Sequence, residues 1–169
     1  MSHSETVNTY NQAAVPMAEY FAGIGPRTAL IEKGLELAGN PENARVVEIG
    51  CGDGRDASDI VPRVGWYEGF DPSEGLLDLA RQRQLENASF VRADALSYDY
   101  PKHLDVVYAF ASFLHLDAKD FAAACQKVDA ALKMGGVLLM TLKARDVYKQ
   151  ELVEDQFGRR MFYFYNEST

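Results

Sequence analysis

Cysteine is scarce in this sequence, with two residues, Cys51 and Cys125, among 169. Cys51 falls in a glycine-rich turn and Cys125 on the apolar face of a predicted helix, so neither suggests a disulfide framework. This usage is typical of a reducing compartment, and we expect the protein to be cytoplasmic. No metal site is expected.

Long apolar runs and excess positive charge are also lacking. No segment approaches the length of a transmembrane helix, and residues 1–5 have neither the basic nor the apolar part of a signal peptide, so no membrane association is expected. The formal net charge is −8. Because a protein that holds nucleic acid through its phosphates needs a positive surface, nucleic acid is disfavoured as a partner.

The most informative stretch is residues 46–56, in which an apolar run leads into three alternating glycines. The run predicts a buried parallel strand, and the glycines predict a tight turn before a helix that begins near Gly54. A dinucleotide site has the pattern G-x-G-x-x-G, but here the third glycine comes one position early and Arg55 takes the dinucleotide position. Glu48 places an anion at the strand end, which suits a cationic ligand better than a pyrophosphate. A glycine-rich turn without a ligand is the alternative.

These residues resemble the first motif of the class I S-adenosylmethionine (SAM)-dependent methyltransferases, an acid and an apolar residue followed by G-x-G-x-G. The resemblance implies a three-layer αβα sandwich around a mostly parallel, Rossmann-like sheet. It also implies that Glu48 meets the cationic methionyl end of SAM. A nicotinamide-dependent oxidoreductase is a rival reading, against which Arg55 and Glu48 both argue.

The N-terminal segment predicts two helices. Residues 4–21 have apolar side chains at helical spacing, and Pro16 should kink or divide that helix. Pro26 is placed as the first residue of the next helix. In the methyltransferases that the chain resembles, such helices pack over the cofactor, which makes Tyr10 a candidate contact. A plain core or surface aromatic is the alternative role of Tyr10.

The second predicted strand, within residues 65–73, closes on an acid. Asp71 lies 17 residues after Gly54, close to the spacing of about 20 residues expected of a ribose-binding acid. Its carboxylate is suited to accept hydrogen bonds from both ribose hydroxyls. The alternative is that Asp71, or Ser73 in its place, caps the helix that follows.

The third predicted strand, residues 88–95, also ends on an acid. In the resembled family an acid and a small residue at this place meet the adenine. The resemblance therefore implies that Asp94 accepts from the exocyclic amine and that the Ala95 N–H reaches a ring nitrogen. The alternative for Asp94 is an ordinary loop aspartate.

The fourth predicted strand, residues 104–110, is followed by the main candidate for chemistry. Open parallel sheets bind ligands outside the carboxyl ends of their strands, so Phe110, Ala111 and Ser112 should line the site. His115 exchanges protons near neutral pH and is the candidate catalytic base. In similar methyltransferases the equivalent histidine is often structural, and that alternative stays open.

The last third of the chain predicts a helix from Asp117, stopped by Gly135 and Gly136, and a fifth strand over residues 137–143. The passage around the two glycines is a second match to the methyltransferases. A third match, to one small-molecule subgroup, is the segment that runs from Asp155 to Tyr165.

The complete methyltransferase fold has one more helix and a final strand beside strand five, and this chain is expected to lack both. The open edge of strand five is a liability in a folded protein. Three remedies are possible: residues 161–165 pair there, a second copy covers the edge in a homodimer, or the sequence is a fragment.

The sequence thus predicts one domain over residues 1–169, with an N-terminal helical cap over 1–40 and a Rossmann-like core over 44–169. The expected function is transfer of a methyl group from SAM, giving S-adenosylhomocysteine (SAH), to a small-molecule acceptor. A SAM-binding domain without activity is the other alternative. The expected cofactor contacts are Glu48, Gly50, Cys51, Gly52, Gly54, Arg55, Asp71, Pro72, Asp94, Ala95, Phe110, Ala111 and Tyr10.

Overall fold

The computed structural model describes residues 3–166, in which three helices precede a core of mixed helices and strands. The helices are α1 (His3–Gln12), α2 (Ala14–Ala22), α3 (Thr28–Leu37), α4 (Ala57–Ile60), α5 (Glu74–Gln82) and α6 (Ala118–Ala131). The strands are β1 (Arg45–Ile49), β2 (Trp66–Asp71), β3 (Ala88–Arg92), β4 (Leu104–Phe110), β5 (Leu132–Thr141), β6 (Lys143–Ala144), β7 (Lys149–Asp155) and β8 (Gly158–Tyr165).

Five parallel strands form the main sheet, in the order β3-β2-β1-β4-β5. The chain builds outward from β1 to β3 on one side and then returns to place β4 on the other side of β1. The carboxyl ends of β1 and β4 therefore meet at the point where the strand order reverses, which is where sheets of this kind bind ligands. The predicted αβα architecture is confirmed.

Alternating side chains of β1 supply both faces of the core. Val47 and Ile49 pack in the cluster that includes α6, whereas Val46 packs in the cluster that includes α3 and α4. This follows from the two-residue period of a strand. All seven residues of β4 are buried, as expected of a central parallel strand covered on both sides.

The N-terminal helices differ from the sequence expectation at one boundary. The predicted division occurs at Ala13, so Pro16 lies in the first turn of α2, where its missing N–H leaves no helical hydrogen bond unmade. The next helix begins at Thr28 rather than Pro26, because Arg27 has a non-helical backbone with φ −84° and ψ 52°.

Two further boundaries after strands are corrected. The helix expected from Gly54 begins at Ala57 and has four residues. The third strand ends at Arg92, and Asp94 forms a turn in which its Oδ1 accepts from the N–H groups of Leu96 and Ser97 at 2.8 and 2.9 Å. The aspartate carboxylate thus accepts from backbone N–H groups that would bond to a neighbouring strand if the strand continued.

The glycine pair 135–136 does not stop α6, which is the helix expected from Asp117. The helix ends at Ala131, and the pair lies within β5, in an irregularity where residues 133–136 face Asp105 alone on β4. Gly135 has a φ of +76°, which a bulge requires and glycine adopts without strain.

Of the three remedies for the open edge of β5, pairing by residues 161–165 is not the one that the structure shows. These residues belong to β8, which forms an antiparallel hairpin with β7 and pairs with β6 in a separate three-stranded sheet. Among residues 3–166, no strand covers the outer edge of β5, and a homodimer through that edge stays a prediction.

The hairpin instead packs against the first helix. Thr9 of α1 donates to the backbone oxygen of Arg159 at 2.7 Å, and Thr6 accepts from the N–H of Met161 at 3.1 Å. We call this contact the α1–β8 seam. It closes the space above the carboxyl ends of the main sheet.

Candidate functional site

A cavity of about 210 Å³ lies at the carboxyl ends of β1, β2 and β4, beneath the α1–β8 seam. Most of the predicted site residues line it. They are Tyr10, Gly50, Cys51, Gly52, Arg55, Asp71, Pro72, Asp94, Ala95, Phe110, Ala111, Ser112 and His115. Residues from strands that are distant in sequence are thus brought to one space, as the parallel topology requires.

The loop after β1 forms the floor of the cavity. Gly50 has a φ of +71°, and a Cβ added there would lie 2.5 Å from the Cβ of Ser112. Gly52 has a φ of +55°, with open space where its Cβ would be, and its N–H donates to Asp71 Oδ2 at 3.0 Å. The loop can therefore lie close to β4 on one side and to a ligand on the other.

Asp71 ends β2 with a buried carboxylate. Its Oδ1 accepts from the N–H of Ser73 at 2.8 Å, and burial raises its pKa from 3.8 to about 6, against the lowering effect of the two backbone hydrogen bonds. The capping role belongs to Ser73, whose hydroxyl accepts from the N–H of Leu76 at 3.3 Å. Asp71 is thus held in place by backbone groups while it borders the cavity.

Glu48 and Gly54 do not line the cavity. Glu48 is 1% exposed and its Oε2 accepts a hydrogen bond from Tyr67 at 2.6 Å. Burial first, and then the charge of Asp56, raises the pKa of Glu48 to about 8. The position follows from the strand period, which puts Glu48 on the face that it shares with Val46 rather than at the strand tip.

Five charged or polar residues that are not among the predicted site residues also line the cavity: Thr6, Arg27, Asp53, Asp56 and Arg160. Arg27 donates to Asp56 from its backbone N–H at 2.7 Å and from its guanidinium at 2.5 Å. Arg27 and Asp56 lie 29 positions apart, so no local sequence pattern indicates that they form an ion pair. Arg160 had a local signal, since it lies in the segment that resembles one methyltransferase subgroup.

Tyr10 and His115 form a hydrogen-bonded pair in the roof. Nδ1 of His115 lies 2.7 Å from the backbone oxygen of Met161, and Nε2 lies 2.7 Å from the hydroxyl of Tyr10. A carbonyl oxygen only accepts, so Nδ1 carries the proton; in the neutral ring Nε2 then accepts from Tyr10. Burial raises the pKa of Tyr10, which keeps its hydroxyl protonated as that donor.

Three buried polar atoms in the lining have no hydrogen-bond partner among the residues that the structure describes. They are Nε of Arg55, Oγ of Ser112 and Nε of Arg160. Buried polar groups are nearly always satisfied, so three unpaired groups on residues of one lining favour a ligand with several polar groups. Within the same part of the chain, no three His, Cys, Asp or Glu side chains are grouped to hold a metal ion.

A model of the methyltransferase-domain family matches residues 46–136, which is more than half of the chain. The chain belongs to this methyltransferase family. The match runs from β1 to the glycine pair within β5, and so it includes the three strand ends that border the cavity. No helix among the described residues of the methyltransferase domain is long and apolar enough to cross a membrane.

Two curated relatives differ in what is known of them. The trans-aconitate 2-methyltransferase of Rhizobium rhizogenes is 31% identical over 104 residues, which cover 58% of this chain and 38% of that protein. An uncharacterized methyltransferase of Bacillus mycoides is 28% identical over 107 residues, which cover 62% of this chain and 50% of that protein. The methyltransferase domain thus spans half or less of the length of these relatives.

Solved structures confirm the fold. DhpI in complex with SAH has a TM-score of 0.72 at 19% identity, and the match covers 98% of this chain and 82% of that one. A SAM-dependent methyltransferase from Clostridium acetobutylicum has a TM-score of 0.67 at 16% identity, with 94% and 83% covered. The family is SAM-dependent, and the predicted cofactor of the methyltransferase domain is confirmed at that level.

Glu48→Gln is expected to stabilise the methyltransferase domain at high pH. The pKa of Glu48 is raised from 4.5 to about 8 by burial, so between these values the folded state retains a proton that the unfolded chain releases. Stability therefore falls as pH rises through this window, and the amide abolishes the effect. We expect unfolding free energies close to wild type at pH 5 and higher by about 2–4 kcal/mol at pH 9, measured by urea denaturation.

Glu42→Gln is the matched control, since Glu42 is exposed just before β1 and its replacement should leave the pH profile of stability unchanged. A difference between Glu48→Gln and wild type that is the same at pH 5 and pH 9 would contradict the assignment of a buried, neutral carboxyl group.

Proposed function

We propose that this methyltransferase domain binds SAM in the cavity at the strand ends and transfers its methyl group to a small-molecule acceptor beside Tyr10 and His115. The observation that carries the proposal is the convergence of the glycine loop, Asp71 and the Tyr10–His115 pair on one cavity at the switch point of a parallel sheet. The trans-aconitate methyltransferases among the relatives are named for a small-molecule acceptor, which supports the same class here.

Each cofactor contact has a proposed role. Asp71 accepts from the ribose hydroxyls with the lone pairs that the N–H groups of Gly52 and Ser73 leave free. Asp94 and Ala95 border the adenine, and Phe110, Ala111 and Pro72 complete the wall. Gly50, Cys51, Gly52 and Arg55 surround the amino-acid end. Glu48 and Gly54 support this loop from outside the cavity.

Bound SAM supplies a methyl group on a positively charged sulfur. The residues of the chain contribute mainly by holding the acceptor in line with it, and orientation alone is worth roughly 7–11 kcal/mol. His115 accepts a proton only at Nε2, which faces the Tyr10 hydroxyl. If the acceptor is a hydroxyl, its proton therefore reaches His115 by one of two routes. It passes through the Tyr10 hydroxyl, or the acceptor displaces Tyr10 and donates to Nε2 directly.

Calorimetric titration with SAH tests the cofactor, with NADH as the competing ligand. We expect SAH to bind in the micromolar range or tighter, and NADH not to bind. Release of SAH from SAM should then depend on an added acceptor. Tight NADH binding without SAH binding would favour an oxidoreductase, and SAH binding with no transfer to any acceptor would favour a binding domain without activity.

A further inference from the structure

Arg160 is buried at the roof of the cavity with donors to spare. It is 6% exposed, one end of its guanidinium bonds Asp155, and Nη1 lies 3.5 Å from the Tyr10 hydroxyl. Its Nε has no partner among the described residues. The rings of Tyr10, Phe157 and Phe162 lie 5.4–5.8 Å from its central carbon, so an aromatic shell fixes the guanidinium.

The charge of Arg160 is placed differently from that of the other cations in the lining. Arg27 and Arg55 both pair with Asp56, which lines the cavity together with them. The partner of Arg160 is Asp155, which does not line the cavity and whose side chain is 37% exposed. Asp155 also accepts from the N–H of Phe157 at 2.9 Å, which holds it in the hairpin turn. Arg160 therefore presents a positive charge to the cavity while its counter-ion lies outside.

The base in the roof is already engaged on both sides. His115 donates to Met161 through Nδ1 and accepts from Tyr10 through Nε2. An acceptor that has to lose a proton would break this arrangement, whereas an acceptor that is already anionic would not. The single proton of the Tyr10 hydroxyl is donated to His115, and the guanidinium of Arg160, which has an unpaired Nε–H, is instead suited to hold an anion.

We propose that the acceptor is a small organic acid, bound through Arg160 beside the Tyr10–His115 pair, and that its ionised acid oxygen receives the methyl group. This inference rests on the proposed function and specifies its acceptor. A lone pair of the acid oxygen forms the new O–CH3 bond, and the electrons of the broken S–CH3 bond stay on sulfur. The negative charge of the acid and the positive charge of the sulfonium cancel, and no proton is transferred. His115 is then a positioning residue that orients Tyr10.

The test is a methyl-transfer assay with radiolabelled SAM and matched acceptors: C4–C6 dicarboxylic and tricarboxylic acids, alkylphosphonic acids, and the corresponding alcohols, amides and amines. We expect transfer to the acids only. Mild alkali separates the two acid classes, because a carboxylic methyl ester releases labelled methanol while a phosphonate monoester retains its label. Faster transfer to alcohols or amines than to acids would overturn the inference while leaving the proposed function intact.

Arg160→Gln should lower kcat/KM for the best acid roughly 10- to 100-fold, the range for a lost hydrogen bond to a charged group, with SAH affinity unchanged. Arg159→Gln is the matched control, because the neighbouring arginine is 60% exposed and its pairing with Glu154, at 3.9 Å, is worth little; we expect a change of less than about twofold. Equal loss in both variants, or none in Arg160→Gln, would overturn the inference.

Two measurements keep the test decisive. If Arg160→Gln fails to bind SAH, Arg160→Lys is tested in its place. Lysine retains the charge but lacks Nε, so this variant should lose transfer to acids while it still binds SAH.

If wild type transfers to nothing in the panel, the acids and their amides are titrated into the SAH-saturated protein. Binding of the acids alone, weakened in Arg160→Gln, supports the site, and the absence of binding overturns it. Failure of SAH to bind wild type would instead reject the proposed function.

Discussion

Gly50→Ala is expected to destabilise the methyltransferase domain by about 2–4 kcal/mol, the sum of a left-handed backbone at a non-glycine residue and an overpacked contact. Gly50 has a φ of +71°, and its added methyl would lie 2.5 Å from the Cβ of Ser112. That atom is fixed directly to the backbone, so it cannot rotate away. Urea denaturation monitored by circular dichroism measures the loss.

Gly52→Ala separates backbone strain from packing. Gly52 also has a positive φ, +55°, but no atom lies within 4 Å of its added Cβ. We expect a loss of only about 1–2 kcal/mol from backbone strain. Because the methyl group points into open space beside the cavity, its main effect should be weaker SAH binding. Equal destabilisation by the two substitutions would contradict this geometry.

Asp71→Asn is expected to weaken SAH binding roughly 10- to 100-fold, the range for lost hydrogen bonds to a charged group. The carboxylate accepts from Gly52 and Ser73 at 3.0 and 2.8 Å, one on each oxygen. Asparagine has one acceptor oxygen, so its amide group must face one of these N–H donors. The substitution therefore weakens both the hydrogen bonds that hold the loop and the proposed contact with the ribose. Isothermal titration at pH 7.5 measures the effect.

The pH dependence gives a second measurement on wild type. Burial raises the pKa of Asp71 to about 6, so the carboxylate gains a proton as the pH falls through that value. SAH affinity is therefore expected to fall below pH 6 in wild type but to change little in Asp71→Asn. Asp99→Asn, at an exposed site in the loop between β3 and β4, is the control for the charge change. An affinity that is independent of pH in wild type would argue against an ionised Asp71 at the ribose.

The parts of the fold that were predicted correctly have local causes. The apolar run 104–110 fits β4 at both ends, and Asp117 caps α6 by accepting from the N–H of Asp120 at 2.9 Å. The strand that leads to Asp71 ends where expected. Each of these features is determined by residues within a few positions, through burial, capping or turn chemistry.

The features that the sequence left open depend on contacts between residues far apart in the chain. The extended sequence 161–165 is suited to any open strand edge, and only the tertiary structure determines that it pairs with β7 rather than β5. Glu48 follows the methyltransferase motif, yet its partner is Tyr67, which a neighbouring strand supplies. Tyr10 and Arg160 are separated by 150 positions, so no spacing in the sequence could indicate that they meet.

The α1–β8 seam has a consequence for how ligands exchange. It joins two elements that lie outside the main sheet, through two threonine hydrogen bonds and the contact of Tyr10 with Arg160. A contact at the periphery of the fold opens locally at a lower free energy than global unfolding requires. Under the proposed function, we expect brief separation of α1 from the hairpin to uncover the side of the cavity near Arg160 while the five parallel strands stay paired. An acceptor and its product would then exchange from above, without release of the nucleoside end of bound SAM from the sheet.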